Sequence, residues 1–383
     1  MTAAVTDGAA APPKIRSIDW LFLAAAILAT AVLVALVVID GQPWSAGLIA
    51  SGFALGMAFL KFEFSFTASW RRFLVRGEAG GLLAVLLLIA IAAVVIVPVA
   101  TLGRGFGGAI APLGPSLVIG AFVFGIGMQL ANGCGSGTLY TAGGGSGRML
   151  IALACFIVGS VVGSLHLPAF MALGGVDPIL ASDYLGPWGG LAATLASLAL
   201  AAAVVTAIAR RRGAGTTLGG PLLAGAIVIG VLASAAFLTG GHPWSVTFGF
   251  TVWGGKLATL AGLDLASAEF WQWPGPKRAL AESVLTDTSS LTDLGMILGA
   301  MAAAAAGRPF ARASWPPARS LVAAALGGLL MGWGARLGFG CNIGAFVGGV
   351  ASGSLHGWIW FAAALGGCAV GIRLRPLFGL SRE

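Results

Sequence analysis

The chain has 383 residues, of which 58% are hydrophobic and only 9% are charged. A soluble domain carries about 25% charged residues, so this chain lacks the polar surface that water requires. Its mean hydropathy of +0.97 indicates a protein that crosses a membrane many times. This composition excludes nucleic-acid readers, secreted disulfide scaffolds and disordered regulators, and the net charge of +8 is explained by basic cytoplasmic loops.

Residues 1–17 are predicted to be a disordered tail, and the apolar run that follows is too long for the core of a signal peptide. At about 20 residues for each crossing, roughly ten to twelve membrane segments would fill most of the chain. Basic residues place the tail, 61–77 and 210–213 in the cytoplasm, and the acidic stretch 171–186 outside. No Asp or Glu inside a segment stands out as a proton or sodium site. The apolar segments are 18–39, 44–60, 79–100, 112–131, 149–170, 187–209, 217–238, 244–262, 290–306, 318–337 and 357–371.

The chain contains an internal repeat. The sequence GQPWS at 41–45 recurs as GHPWS at 241–245, an offset of 200 residues, and the tryptophans of these turns are predicted to anchor at the membrane interface. We therefore predict two tandem repeats, 18–213 and 214–383, with a substrate site between them. Positive-inside counting favours parallel halves, a conclusion that one re-entrant segment would reverse. Further matches share an offset of 207 residues: GIG at 125–127 with GWG at 332–334, Gly133 and Cys134 with Gly340 and Cys341, and Gly137 with Gly344.

Each repeat contains an apolar helix that ends in a glycine-rich stretch at a cysteine, which is Cys134 in the first repeat and Cys341 in the second. Glycine inside a helix costs about 1 kcal/mol relative to alanine, and unsatisfied backbone groups in lipid are costlier still. The two broken or re-entrant helices are therefore predicted to face each other around a central pore. Helices restarting around Gly143 and Gly349 would direct backbone N–H groups at an anion.

A neutral thiol is a weak, polarizable donor, which suits a path that must select a soft anion and still release it. Taken singly, each cysteine is explained by tight helix packing; the symmetric pair favours substrate binding. Asn132 and Asn342 could donate amide N–H groups to an oxyanion or cap a half-helix. Arg336 could bind substrate or pair with a carbonyl. The predicted substrate-binding residues of the motifs are Cys134, Cys341, Gly133, Gly135, Gly340, Asn132, Asn342 and Arg336, whereas Cys155 and Cys368 are predicted to be packing residues.

These motifs resemble those of the YeeE/YedE sulfur-transport membrane proteins, which carry a Gly-Cys motif in each half. The run GCNIG at 340–344, continuing to ASGSLHGW at 351–358, is most similar to the YedE branch. The resemblance implies uptake of thiosulfate or a related sulfur anion through the bacterial inner membrane, with pore cysteines passing the substrate along by S–H···S hydrogen bonds. It leaves polysulfide or a selenium compound as alternatives. It also implies a cytoplasmic sulfur carrier of the TusA type as a partner of some members.

One position departs from the family pattern. Where thiosulfate carriers have a cysteine between two phenylalanines, this chain has Ser65 between Phe64 and Phe66. A hydroxyl is a harder donor than a thiol and does not oxidise. Ser65 therefore either takes the place of a third thiol in the path or is an ordinary helix-capping serine.

Two other classes of protein stay as alternatives. A membrane thiol oxidoreductase or sulfurtransferase would need a resolving cysteine, a cofactor or a base beside a thiolate, and the sequence has no C-x-x-C, haem-attachment or dinucleotide motif. A soft-metal carrier would need more than three histidines and eight methionines spread along the chain. We therefore predict a transporter and not an enzyme, without cofactor, metal or nucleic-acid partner.

Overall fold

A computed structural model describes residues 18–307 and 316–383. These residues form helices joined by turns, with no β-strand among them. The predicted tail 1–17 lies outside the described residues. The helices are α1 (Trp20–Ile39), α2 (Ser45–Lys61), α3 (Phe66–Arg76), α4 (Gly80–Leu102), α5 (Pro115–Ala131), α6 (Gly135–Gly143), α7 (Gly147–Met171), α8 (Ala181–Arg211), α9 (Gly220–Gly240), α10 (Thr247–Leu260), α11 (Glu269–Gln272), α12 (Pro274–Ala281), α13 (Thr288–Gly307), α14 (Ala318–Leu337), α15 (Gly348–Ala351) and α16 (Leu355–Leu374), with a π-helical turn, Asn342–Val347, leading into α15.

Ten helical segments in the described residues are long and apolar enough to cross a membrane. They confirm the prediction of an all-α, multi-pass membrane protein. α1 and α8 leave large apolar side chains uncovered, including Leu28 at 67% and Leu200 at 66% exposure. Apolar surface of this kind indicates contact with lipid.

The apolar segment 244–262 does not contain a helix long enough to cross the membrane. α10, which lies in that range, has 14 residues and is therefore about 21 Å long, against about 30 Å for the bilayer core. The reason is that the chain enters the interior of the protein after α9. Val246 is fully buried there, so α10 begins inside the protein and not at the membrane surface. Trp244 in this turn is only 7% exposed and is no interface anchor, whereas Trp44 in the related turn is 86% exposed.

Four helices, α5, α7, α14 and α16, form the centre of the fold. α5 runs parallel to α16 and α7 parallel to α14, while α5 and α14 run antiparallel. Glycine allows these backbones to touch: a Cβ at Gly125 would lie 2.1 Å from the carbonyl oxygen of Ala364, and one at Gly332 would lie 2.2 Å from that of Phe156. The small-residue contacts bring the two breaks, after α5 and after α14, into the interior.

The molecule has two chemically different ends. The one we call the basic end is held together by hydrogen bonds from arginine, such as that from Arg212 to the carbonyl of Leu74. At the opposite end, the loops before α5 and after α7 meet in a backbone bridge between Leu113 and Val176. The arginines of the basic end include Arg71, Arg148, Arg212 and Arg375.

Candidate functional site

The two breaks share one backbone conformation. Asn132 and Phe339 are both left-handed, with φ of 64° and 58°, although neither is glycine. After one glycine, Cys134 and Cys341 are both extended, with φ of −90° and −110°. The chain then becomes helical at once, so each cysteine is the N-cap of a half-helix: α6 in the first case and 342–351 in the second.

The predicted restart of these helices around Gly143 and Gly349 is therefore wrong. Each half-helix begins directly after its cysteine, at Gly135 and Asn342. The physical reason is that the extended cysteine ends the break by itself, so that the first N–H groups of the half-helix lie beside its side chain. The thiol and the positive end of the helix dipole are thus at the same place.

The Cys134 thiol is 2% exposed and packs on its own half-helix. Its sulfur accepts a hydrogen bond from the backbone N–H of Gly137 at 3.4 Å, and the Ser136 hydroxyl oxygen lies 3.4 Å away. Thr138 donates to the carbonyl oxygen of Cys134 at 2.8 Å. These contacts hold the sulfur at the N-terminus of α6.

The Cys341 thiol lies against the first half-helix. A Cβ at Gly135 would be 3.0 Å from the Cys341 sulfur and 3.5 Å from a methyl carbon of Thr247. Gly135 is therefore required for the close approach of the two breaks. Cys341 itself is fully buried, and the preceding Gly340 has a φ of 148°, which favours glycine. Gly133, on the other side of Cys134, faces the sulfur of Met149.

The two asparagines beside the cysteines have different surroundings. Asn342 is fully buried, and neither its amide nitrogen nor its oxygen has a hydrogen-bond partner among the described residues. A buried amide without a partner is costly unless a ligand or water satisfies it. Asn132 is exposed at the basic end, where its oxygen accepts from Arg71 at 2.9 Å and from Arg375 at 3.2 Å. Only Asn342 is thus brought to the two cysteines.

Arginine side chains bind the carbonyl groups at the C-terminal end of α5, a feature that the sequence reasoning missed. Arg148 donates to the carbonyl oxygens of Leu130 and Ala131, at 2.8 and 2.5 Å, and Arg375 donates to that of Gln129 at 2.6 Å. The last carbonyls of a helix have no partner within it, and inside a membrane protein they must find donors. The signal in the sequence was the break itself, which requires such donors.

Arg336 lies in the last turn of α14 and is partly buried against α10. It donates to the Thr251 hydroxyl at 3.2 Å, and its guanidinium lies 5.8 and 5.5 Å from the ring centres of Phe248 and Phe270. Its Nε atom is buried without a partner among the described residues. Gln129, which aligns with Arg336, instead accepts from Arg71 at 3.3 Å.

Ser65 is the N-cap of α3: its hydroxyl accepts from the backbone N–H of Ala68 at 3.2 Å. The capping role is therefore present. Ser65 also lies beside Tyr140 of α6, whose hydroxyl donates to the carbonyl of Phe64 at 3.3 Å. Capping and contact with the first half-helix occur together.

One acidic residue inside a membrane segment was not singled out by the sequence analysis. Asp293 lies within α13 and is fully buried. The segment was read as apolar because one carboxyl among many Ala, Gly, Leu and Met residues hardly changes its hydropathy. Within 18–307 and 316–383, no group of three His, Cys, Asp or Glu side chains is arranged to hold a metal ion.

Comparison with known proteins decides the family. The model of a family described as sulphur transport matches residues 61–370, which is most of the chain. The chain belongs to the sulphur transport family. This confirms the resemblance to the YeeE/YedE sulfur-transport proteins.

Curated relatives agree with this assignment. The protein named probable transporter YedE from Escherichia coli (strain K12) is 37% identical over 155 residues, which are 40% of this chain and 37% of YedE. The thiosulfate transporter TsuA of Spirochaeta thermophila is 30% identical over 261 residues, covering 63% of this chain and 72% of TsuA. The chain thus spans little more than a third of the length of the YedE proteins it matches.

Proposed function

We propose that the chain takes up a small sulfur-containing anion, thiosulfate above all, along a path between its two cysteine-capped half-helices. The observation that carries this proposal is the contact of the Cys341 thiol with Gly135, next to Cys134. Membership of the sulphur transport family and similarity to a thiosulfate transporter support it. The path would be lined by Gly133, Gly135, Gly340, Cys134, Cys341 and Asn342.

The chemistry of this path suits a soft anion. Two half-helix N-termini offer N–H groups and partial positive charge without a fixed cation that would hold the anion too tightly. The thiols of Cys134 and Cys341 add weak donors that match a polarizable sulfur atom. The free amide of Asn342 adds a donor for an oxygen atom. The contacts are individually weak, as conduction requires.

Charge at the two ends supports inward movement. Arg336 would attract the anion near the opposite end, and Arg71 and Asn132 would receive it near the basic end. We place the basic end in the cytoplasm by the positive-inside rule, and the protein in the bacterial inner membrane. The TusA-type partner implied by the family resemblance stays a prediction.

We further propose that 18–213 and 214–383 are two repeats, with α4–α7 related to α13–α16 by an axis in the membrane plane. The equal left-handed conformations of Asn132 and Phe339 support this. The helix packing also supports it. α5 packs on α16 in the same way as α14 packs on α7, and α5 and α14 run antiparallel. An inverted repeat of this kind would bring the two half-helices in from opposite sides.

Growth tests the proposed function. A sulfur-auxotrophic bacterium lacking its own sulfur transporters is expected to grow on thiosulfate as sole sulfur source when it makes this chain. Absence of growth, with the protein present in the membrane, would contradict thiosulfate as substrate. Polysulfide and selenium compounds would then be the substrates to test.

Substitution of Ser65 separates its two roles. We propose that its hydroxyl contacts the anion as well as capping α3. Ser65→Ala is expected to cost about 1 kcal/mol of stability through loss of the cap, and also to lower uptake per folded protein. Ser65→Cys should retain uptake. Asp19→Ala, which removes the cap of α1, serves as the control. Unchanged uptake per folded Ser65→Ala protein would leave Ser65 with the capping role alone.

A further inference from the structure

The carboxyl group of Asp293 lies in the interior without any partner. The residue is fully buried on α13, and neither carboxyl oxygen has a hydrogen bond within the described residues. It faces α10, where a Cβ at Gly249 would lie 2.8 Å from one of its oxygens. An ionisable residue in a membrane segment is a functional candidate by default.

Within residues 18–307 and 316–383, no cation forms an ion pair with this carboxyl. The helices that pack on α13 are α1, α2, α6 and α10. α1 has no charged residue, α2 has Lys61 at its far end, and α6 has no ionisable residue other than Tyr140. In α10, the Lys256 ammonium donates to the carbonyls of Leu280 and Glu282.

Three other ionisable groups lie on neighbouring parts of the fold. The Arg336 guanidinium binds Thr251 of α10, and no ion pair joins it to Asp293 in the described residues. Cys341 is a neutral thiol on the neighbouring break. Asp287, six residues earlier in the chain, adds negative charge. A carboxylate without a cation or a donor is strongly disfavoured in such surroundings, so the group is stable there with a proton bound.

A cavity of mixed polar and apolar lining reaches this part of α13, and Asp293 itself is not one of its lining residues. Its lining includes Ser289 and Thr292, one turn before and one residue before Asp293. Asp287 also lines the cavity; it caps α13 by accepting from the backbone N–H of Ser290 at 2.7 Å, and burial raises the pKa of this carboxyl. The cavity also reaches Ser245, whose hydroxyl would lie 3.2 Å from a Cβ at Gly344 of the second half-helix.

We propose that Asp293 carries one proton inward with each anion, so that uptake is driven by the proton gradient. The proton enters through the cavity at the opposite end, binds one carboxyl oxygen, and leaves at the basic end with the anion. This inference rests on the proposed function. Its physical basis is that thiosulfate is a dianion: one proton cancels one of its two charges, so an acidic exterior favours entry while the membrane potential opposes only the remaining charge. Asp293 is a buried proton acceptor on α13, which packs on the first half-helix.

The test uses the full chain in liposomes clamped at zero membrane potential. With an acidic exterior, we expect labelled thiosulfate to accumulate about tenfold for each unit of pH difference, and an internal pH dye to report proton entry. Asp293→Asn, which keeps the shape of the side chain, should still exchange internal for external thiosulfate but should lose accumulation and proton entry. Asp40→Asn, at an exposed carboxyl, should behave as the wild type.

Accumulation by Asp293→Asn at the wild-type level would overturn the inference. So would wild-type uptake that ignores the pH gradient, or that follows a sodium gradient in its place. The exchange assay separates this from failure of the proposed function: a wild-type protein that exchanges no thiosulfate at all would overturn both. The wild-type proton measurement stands even if the variant does not fold.

Discussion

The Cys341→Ala variant is expected to take up thiosulfate about 10- to 100-fold more slowly than the wild type at equal amounts of folded protein. This is the effect of losing one hydrogen bond to a charged group, about 1.5 to 3 kcal/mol. Cys341 is fully buried where the two breaks meet, and alanine at this position has no donor to replace the thiol. Cys134→Ala should have a similar effect because its thiol has the same place on the other half-helix.

Controls separate this effect from loss of structure. Cys155→Ala changes a half-buried thiol on α7, outside the proposed path, and should leave uptake unchanged. Serine at Cys341 should restore part of the rate, since a hydroxyl still donates but matches sulfur less well. Uptake by Cys341→Ala within twofold of the wild type, at equal folded protein, would mean that the thiols only pack.

The second large effect concerns the contact of α5 with α16. Gly367→Ala is expected to lower the thermal midpoint sharply or to prevent folding, because the new Cβ would lie 1.9 Å from the backbone oxygen of Phe122. The helices would have to separate, and overpacking of this kind costs typically about 1–3 kcal/mol or more. The measurement is the thermal midpoint of the detergent-solubilised protein.

Gly366 provides the matched control one residue earlier. A Cβ there would meet only the ring carbons of Phe122, at 3.7 and 3.8 Å, which is ordinary contact. Gly366→Ala should therefore raise the midpoint or leave it unchanged, since alanine favours the helix by about 1 kcal/mol. Equal destabilisation by both substitutions would contradict the close approach of α5 and α16.

The sequence predicted those features that depend on local chemistry. Apolar length predicted the helices, and the Gly-Cys runs predicted where α5 and α14 break. The family resemblance pointed to the same two cysteines. The hydroxyl of Ser65 was correctly considered as a helix cap, because capping depends on residues only three positions apart.

Features that depend on contacts distant in the chain could not be predicted. The apolar composition of 244–262 is typical of a membrane segment, but the buried turn before α10 leaves room only for a short helix. Arg148 and Arg375 lie just outside the predicted apolar segments, and only the fold brings them to the last carbonyls of α5. Asp293 was hidden in an apolar segment, and its lack of a partner is a property of the packed structure.

The anion selectivity of uptake by the purified protein in liposomes tests most directly the claim that a soft anion passes between Cys134 and Cys341. We expect protein-dependent uptake of labelled thiosulfate that excess thiosulfate blocks and excess sulfate does not, because sulfate has the same charge but no terminal sulfur. The Cys134→Ala/Cys341→Ala protein should show little uptake. Equal competition by sulfate, or wild-type uptake by the double variant, would contradict the account.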